Sequence, residues 1–171
     1  MNLEDIFSDK SIKAKEKVEA VSKLLMKKTL SCDELIEFAK KSKDPVKASC
    51  IEAFEFATKI NPAIADESVL SFVTVSLKEK APRIKWESAK VIGNIASLFP
   101  DQLNNAVKQL LVNATDEGTV VRWSAAFAVG EIYKLKSSMN KKLLPEMEQL
   151  CSKEEKNSIQ KIYKAALKKG Q

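Results

Sequence analysis

The sequence predicts an all-α protein built as a file of stacked helical hairpins, a right-handed α–α superhelix, and three observations carry that expectation. Composition is the first. The chain has 171 residues, 44% hydrophobic and 30% charged, with only four Gly and five Pro. That is enough apolar material for one continuous core and too few turn-formers for a sheet protein. The second is the spacing of proline. Pro45 and Pro82 lie 37 residues apart and each opens a helical segment, whereas Pro62 and Pro100 lie 38 apart and each closes one. The third is self-similarity. The run Val46-Lys47-Ala48-Ser49-Cys50-Ile51-Glu52-Ala53-Phe54 aligns with the run from Ile84 to Gly93 and with the run from Val121 to Gly130. A branched apolar residue leads, a cation follows, small residues come three and four positions after that cation in the last two, and Gly closes those same two. A weaker copy runs from Asn157 to Ala166.

Each element has its own reason. Residues 11–28 read as an unpaired or degenerate first unit. Short amphipathic helices are expected at about 31–41, 66–79, 102–114 and 140–151, with Ser31, Asp66 and Asp101 as N-caps or near-caps. A longer helix follows each. In one, Ile84, Ser88, Val91, Ile92, Ile95 and Phe99 form a single stripe; in the next, Val121, Ala125, Ala128, Val129 and Ile132 do so. The small residues at 88–89 and 125–126 allow a neighbouring helix to approach closely. No alternating strand pattern or Asn-Gly hairpin interrupts. The expectation is one domain over 1–171, in units of about 1–30, 31–61, 66–100, 101–137 and 140–169, with eight or nine substantial helices.

The run Asp116-Glu117-Gly118-Thr119-Val120-Val121-Arg122-Trp123-Ser124-Ala125-Ala126-Phe127-Ala128-Val129-Gly130 resembles the HEAT-repeat pattern, in which an acid, then Val-Arg, then paired Ala and a closing Gly begin the second helix of each unit. The copy from Glu79 to Gly93 matches with Glu for Asp and Lys for Arg. The copy at 41–54 has Lys41 where the acid belongs, and the last copy has Ser158 where the cation belongs. The resemblance implies an armadillo-like solenoid of about four HEAT-like hairpins plus the degenerate N-terminal unit. It also implies a ladder between repeats in which Asp116 joins Arg122 and Glu79 joins Lys85. Lys47, with no acid in register, is then left open to a ligand.

Several function classes are disfavoured. Histidine is absent, which removes imidazole as base, shuttle or metal ligand. Cys32, Cys50 and Cys151 are odd in number and widely spaced, without a CxxC pair. That points to a reducing compartment and away from both disulfides and zinc. The start MNLEDIFSDK has no apolar run behind a basic one, and no stretch of 18 uncharged apolar residues occurs. Paired carboxylates such as Asp66-Glu67, Asp116-Glu117 and Glu154-Glu155 sit at helix starts, where the helix dipole accounts for them. The expectation is a cytoplasmic, non-catalytic protein without cofactor or metal, and monomeric. The net charge of +6 falls wholly in residues 134–171, which hold ten Lys and four Glu and read as a solvated cap, with a contact for phosphate or an acidic partner as the alternative.

The candidate binding residues lie on one surface of the second helices. Trp86 and Trp123 occupy the same position in consecutive units, opposite the apolar stripe on a helical wheel. The row through that position reads Ala48, Trp86, Trp123, Ile159, and the row one turn on reads Glu52, Lys90, Phe127, Tyr163. If these helices line the concave side, as the resemblance implies, Trp86, Trp123, Phe127 and Tyr163 form a groove for a protein or peptide partner. Lys47, Lys85, Lys90 and Arg122 would draw an acidic one. Packing between adjacent helices is the competing use of the Trp pair, with a ring covering Gly93 or Gly130. A second functional reading is nucleic-acid binding in the manner of HEAT-like DNA alkylation-repair glycosylases. It is weakened by the presence of only two arginines, Arg83 and Arg122, and by a net charge of zero over residues 1–133. A third reading is a structural subunit that uses Leu3, Ile6 and Phe7 as an apolar end.

Overall fold

The computed structural model describes residues 2–170, and the one-domain reading extends beyond them at each end. Ten α-helices follow one another: α1 (Leu3–Ser8), α2 (Ala14–Met26), α3 (Cys32–Lys41), α4 (Asp44–Ile60), α5 (Glu67–Ser76), α6 (Pro82–Ile95), α7 (Asn104–Asn113), α8 (Thr119–Tyr133), α9 (Asn140–Lys153) and α10 (Asn157–Gly170). Among the described residues there is no strand. Local chemistry explains the boundaries. Ser31 caps α3 through a capping box with Glu34, and the Asp66 carboxylate accepts from the Ser68 and Val69 amides at the start of α5. Pro45 and Pro82 sit in the first turns of α4 and α6, where a missing amide hydrogen costs nothing. Pro62 and Pro100 each start a single 3₁₀ turn after a helix has ended. Asp101 is not the cap expected of it. It lies inside the 3₁₀ turn Pro100–Gln102, and α7 begins instead after Leu103.

The even-numbered helices pack in file, α2 on α4 on α6 on α8 on α10, while the odd-numbered ones lie behind them with slighter mutual contact. Small residues explain the difference. Ala48, Ala53, Ser88, Ala89, Ala125, Ala126 and Ala166 are all buried on the even-numbered helices, and they let those backbones approach. Closer packing on one side bends the stack, which puts the even-numbered helices on the inside of the curve. One core runs the length of the file, from Leu3 and Ile6 through Phe54, Ile92 and Val129 to Tyr163. Leu3 and Ile6 therefore belong to the protein's own core rather than to an open end. α1 folds back, Phe7 stacks on Phe38 with ring centroids 5.5 Å apart, and the Lys17 ammonium donates to the Phe7 carbonyl.

Polar ties join successive hairpins inside this core. The Asn94 side-chain amide of α6 donates to the Glu55 carbonyl and the Thr58 hydroxyl of α4. The buried Asn113 of α7 donates to the Leu77 carbonyl at the end of α5. The second removes an orphan acceptor, since Leu77 lies just past the last turn of α5.

The turn after α2 holds Lys28 at φ 57, a left-handed conformation that costs a side chain its β-carbon clearance. Lys28 is exposed, so Lys28→Gly removes that strain without opening the core. It raises stability by about 0.5–1 kcal/mol in urea titration; a loss would contradict the strain argument.

A candidate binding groove

The inner face presents what the core stripe leaves over. In α6 the buried Ile84, Ser88, Val91, Ile92 and Ile95 face the stack, which turns Arg83, Trp86, Lys90 and Asn94 the other way. In α8 the same geometry turns out Val120, Trp123 and Phe127. Trp123 is 38% exposed and Val120 is 52% exposed, both high for large apolar side chains, while Trp86 and Phe127 are half-buried. Trp123 and Phe127 stack nearly parallel, centroids 6.0 Å apart and 10° between planes. Phe127 also lies across Gly93 of α6, where a β-carbon would overlap its ring. Neither Trp covers a glycine: Phe127 covers Gly93, and Ala166 with Ile162 of α10 approaches Gly130.

Tyr163 does not reach this face. It is 1% exposed, packed in the core with Ile159 and Ala166, and its hydroxyl is buried without a partner. Burial pushes its phenol well above the usual range, with the Glu154 carboxylate adding to the shift. The wheel that placed it beside Phe127 sets α10 at an offset of 36 residues from α8. The buried Ile159, Tyr163 and Ala166 instead follow Val121, Ala125 and Ala128 at an offset of 38, so Tyr163 takes the core position of Ala125.

Charges beside the aromatics are paired. Arg83 bridges to Glu52 of α4. Lys90 lies 2.9 Å from Glu87 and 3.8 Å from Glu55, so one ammonium serves two nearly buried carboxylates. The Trp86 indole N–H donates to Glu87 at 2.8 Å, which fixes the ring's edge at this cluster. Glu55 is raised above its ordinary value, first by burial, with Glu87 adding to it and Lys90 opposing. A raised carboxylate destabilises the fold above its folded pKa, and protonation relieves it. Glu55→Gln therefore raises Tm by about 2 °C at pH 7, since Lys90 keeps Glu87, and the gain shrinks as the pH falls through the folded pKa of Glu55. Melting curves across pH check this; a gain independent of pH would remove titration as its cause.

A second set of cations forms a ladder along one edge, in a register different from the expected one. Lys47 pairs with Glu79 at 2.5 Å, Lys85 with Asp116 at 2.7 Å, and Arg122 with Glu154 at 2.9 Å. Each cation meets the acid of the following hairpin, 31 or 32 residues on, rather than the acid that precedes it in its own. Arg122 reaches Asp116 only through the backbone, donating to the Asp116 and Glu117 carbonyls. Lys47 is thus a rung, not a free cation, and it also lies 5.8 Å over the Phe72 ring. Burial raises Asp116, but the Lys85 hydrogen bond and the Gly118 amide outweigh it and hold it below its ordinary value. The Arg122 hydrogen bond holds Glu154 low and is the main cause of the raised Arg122 value.

The cysteines play no part in the groove. Cys50 is fully buried and its thiol is pushed up to about 12, while half-buried Cys32 is pushed up to about 11, in both cases mainly by burial. Among the described residues, no cluster of three or more Asp, Glu or Cys is arranged to hold a metal ion. None of their helices is long and apolar enough to cross a membrane. A cleft of about 850 Å³ lies away from the aromatics, between α1, α2 and α3.

No family model matches the sequence, and no curated protein matches it. Solved structures match in fold. A designed armadillo repeat protein in complex with the peptide (KR)4 has a TM-score of 0.77 at 18% identity, over 99% of this chain and 80% of that one. Computationally designed armadillo repeat proteins for modular peptide recognition give 0.76 at 18%, over 99% and 81%. The complex of CpcE and CpcF of phycocyanin lyase from Nostoc sp. PCC7120 gives 0.69 at 16%, over 96% and 94%. Likeness at this identity speaks for architecture: by its fold, this chain is a HEAT/armadillo-like α-solenoid.

Proposed function

We propose that this protein is a non-catalytic scaffold that holds a segment of a protein partner against the inner faces of α6 and α8. The observation that carries the reading is the open apolar face of Val120 and Trp123 with half-buried Phe127 stacked beside it, continued by Trp86 one helix away. Exposed aromatics on a concave wall supply an anchor for an apolar side chain at low entropic cost. The neighbouring cluster sets the second requirement. Glu55 and Glu87 share Lys90, leaving one excess negative charge in a partly dehydrated place. A cation from the partner relieves that excess. A partner chosen for acidity has less to meet, because Lys47, Lys85, Lys90 and Arg122 each already face a carboxylate. A designed armadillo neighbour holding (KR)4 is consistent with a basic, extended ligand on such a frame. The same pairing leaves a nucleic-acid duplex on this concave face without the unpaired cations it would need.

Selection of a displayed random linear-peptide library on the intact protein tests this. Enriched peptides carry an aromatic or large aliphatic residue near an Arg or Lys, and they lose binding to Trp123→Ala. Enrichment of acidic peptides, or of peptides indifferent to Trp123→Ala, would remove the groove from the argument.

A further inference from the structure

A second surface stands apart from the groove. Through most of the molecule the inward-reaching cations have carboxylate partners, as the ladder and the Arg83 and Lys90 pairs illustrate. The segment 134–171 holds ten Lys against four Glu. Lys134 pairs with Glu131 of α8, and one of the four acids, Glu154, is already engaged by Arg122 of the same helix. Helix α10 itself contains no acid at all. Its outer side carries Lys161, Lys164 and Lys168, at i, i+3 and i+7 and therefore on one face, followed by Lys169. Lys153 and Lys156 stand at the turn that leads into it. All six are exposed. None forms an ion pair with a described acid; Lys164 reaches only the Gln160 amide oxygen, at 3.3 Å. The inner side of α10 packs Ile159, Tyr163 and Ala166 against the stack, so the lysine row is held rigidly outward.

We propose that this face binds the phosphate backbone of duplex nucleic acid, without reading sequence. Three features select that partner. A protein partner would need an apolar or aromatic anchor, yet the large exposed hydrophobic residues of this molecule all lie before residue 134. Lysines are depleted at protein interface cores and are well suited as point charges on phosphate. An anionic bilayer is met through a broad basic patch helped by inserted apolar side chains, which this face lacks. By contrast, a single row along one helix, from Lys161 to Lys169 and about 12 Å long at 1.5 Å per residue, matches a linear polyanion that carries one charge per roughly 1.7 Å of its axis. The contact makes no demand on the concave groove, and the two surfaces act independently.

Fluorescence anisotropy with a labelled duplex of about 20 base pairs and arbitrary sequence tests the assignment on the full chain. Four to five backbone contacts give a slope of log Kobs against log salt near −4, hence a loss of roughly 10²-fold between 50 and 200 mM salt. The variant carrying Lys161→Gln, Lys164→Gln, Lys168→Gln and Lys169→Gln weakens binding at least about tenfold and flattens that slope. A variant with the same change of net charge at exposed positions on the opposite end, Lys10→Gln, Lys13→Gln, Lys23→Gln and Lys27→Gln, leaves most of the binding in place. Circular dichroism confirms that both variants fold. The proposal is overturned by no binding at low salt, by equal losses in the two variants, or by binding to a polyglutamate peptide or phosphatidylserine vesicles as tight as to the duplex. Loss of peptide binding in Trp123→Ala leaves this result untouched.

Discussion

Replacing Arg122 by Ala lowers stability by about 2–4 kcal/mol, a fall in Tm of roughly 5–12 °C for a chain of this length. The size follows from what the guanidinium does. Its Nε donates to Glu154 at 2.9 Å and its Nη2 to the other carboxylate oxygen at 3.3 Å, while Nη1 donates to the Asp116 and Glu117 carbonyls. The Arg122 side chain is 18% exposed and that of Glu154 is 6% exposed, so removing the cation leaves a largely desolvated carboxylate without its compensating charge. Lys at this position keeps the charge but loses the fork and recovers only part of the loss. Adding Glu154→Gln to Arg122→Ala restores stability relative to the single variant, because the uncompensated charge goes with it. Acid acts in the same direction. Asp116 and Glu154 titrate below their ordinary values in the folded state, so their contribution is complete above the unfolded carboxylate pKa and disappears as pH falls through the folded one. Wild type therefore loses stability in acid more steeply than Arg122→Ala. Urea unfolding at neutral and acid pH reads both effects; a change under 0.5 kcal/mol would mean that the rung orders nothing.

The ladder also shows where sequence reasoning stops. The repeat length, the Ser31 and Asp66 caps and the two first-turn prolines are local chemistry, legible wherever a residue's role is settled by neighbours a few positions away. The rungs are not local. An acid six residues before its cation looks like a partner within one unit, but stacking brings the next unit's acid opposite instead. A signal was present: Lys47 to Glu79, Lys85 to Asp116 and Arg122 to Glu154 share nearly one offset, and that offset is shorter than the repeat. Asp101 failed as a cap because 3₁₀ turns at Ala96–Leu98 and Pro100–Gln102 lengthen the connection there. The inward turn of Tyr163 did have a signature. Ile159, Tyr163 and Ala166 form an i, i+4, i+7 stripe 38 residues after Val121, Ala125 and Ala128, the spacing that Pro62 and Pro100 also show, and aligning the last copy at 36 residues hides it. Trp86 and Trp123 were recognisable as a pair from their shared position. That one opens to solvent more than the other was not, because exposure is decided by the helix that follows each.

Trp123→Ala separates the groove's two uses, binding and packing, when folding and affinity are read apart. Its indole is 38% exposed, so truncation removes roughly 150 Å² of buried area and costs about 3 kcal/mol of folding stability. A side chain that anchors a partner at the centre of an interface also costs about 2 kcal/mol or more of affinity, which is roughly a 30-fold rise in Kd of the folded protein. The rise in Kd is the diagnostic result. Were Trp123 chiefly a packing residue, only the loss in stability would appear, and ligand binding to the folded fraction would be unchanged. Trp86→Ala behaves differently, because its indole N–H also holds Glu87. Removing it leaves the net charge of the cluster unchanged but uncovers Glu87 to water, which screens the negative charge that the partner's cation meets. The loss then falls most heavily on peptides that carry Arg or Lys. Isothermal titration of one selected peptide and its cation-to-Ala counterpart against wild type, Trp86→Ala and Trp123→Ala resolves the two contributions. Trp123→Ala weakens both peptides alike, whereas Trp86→Ala narrows the difference between them. Equal effects of the two substitutions on both peptides would mean that the aromatic wall and the carboxylate pair do not act as distinct subsites.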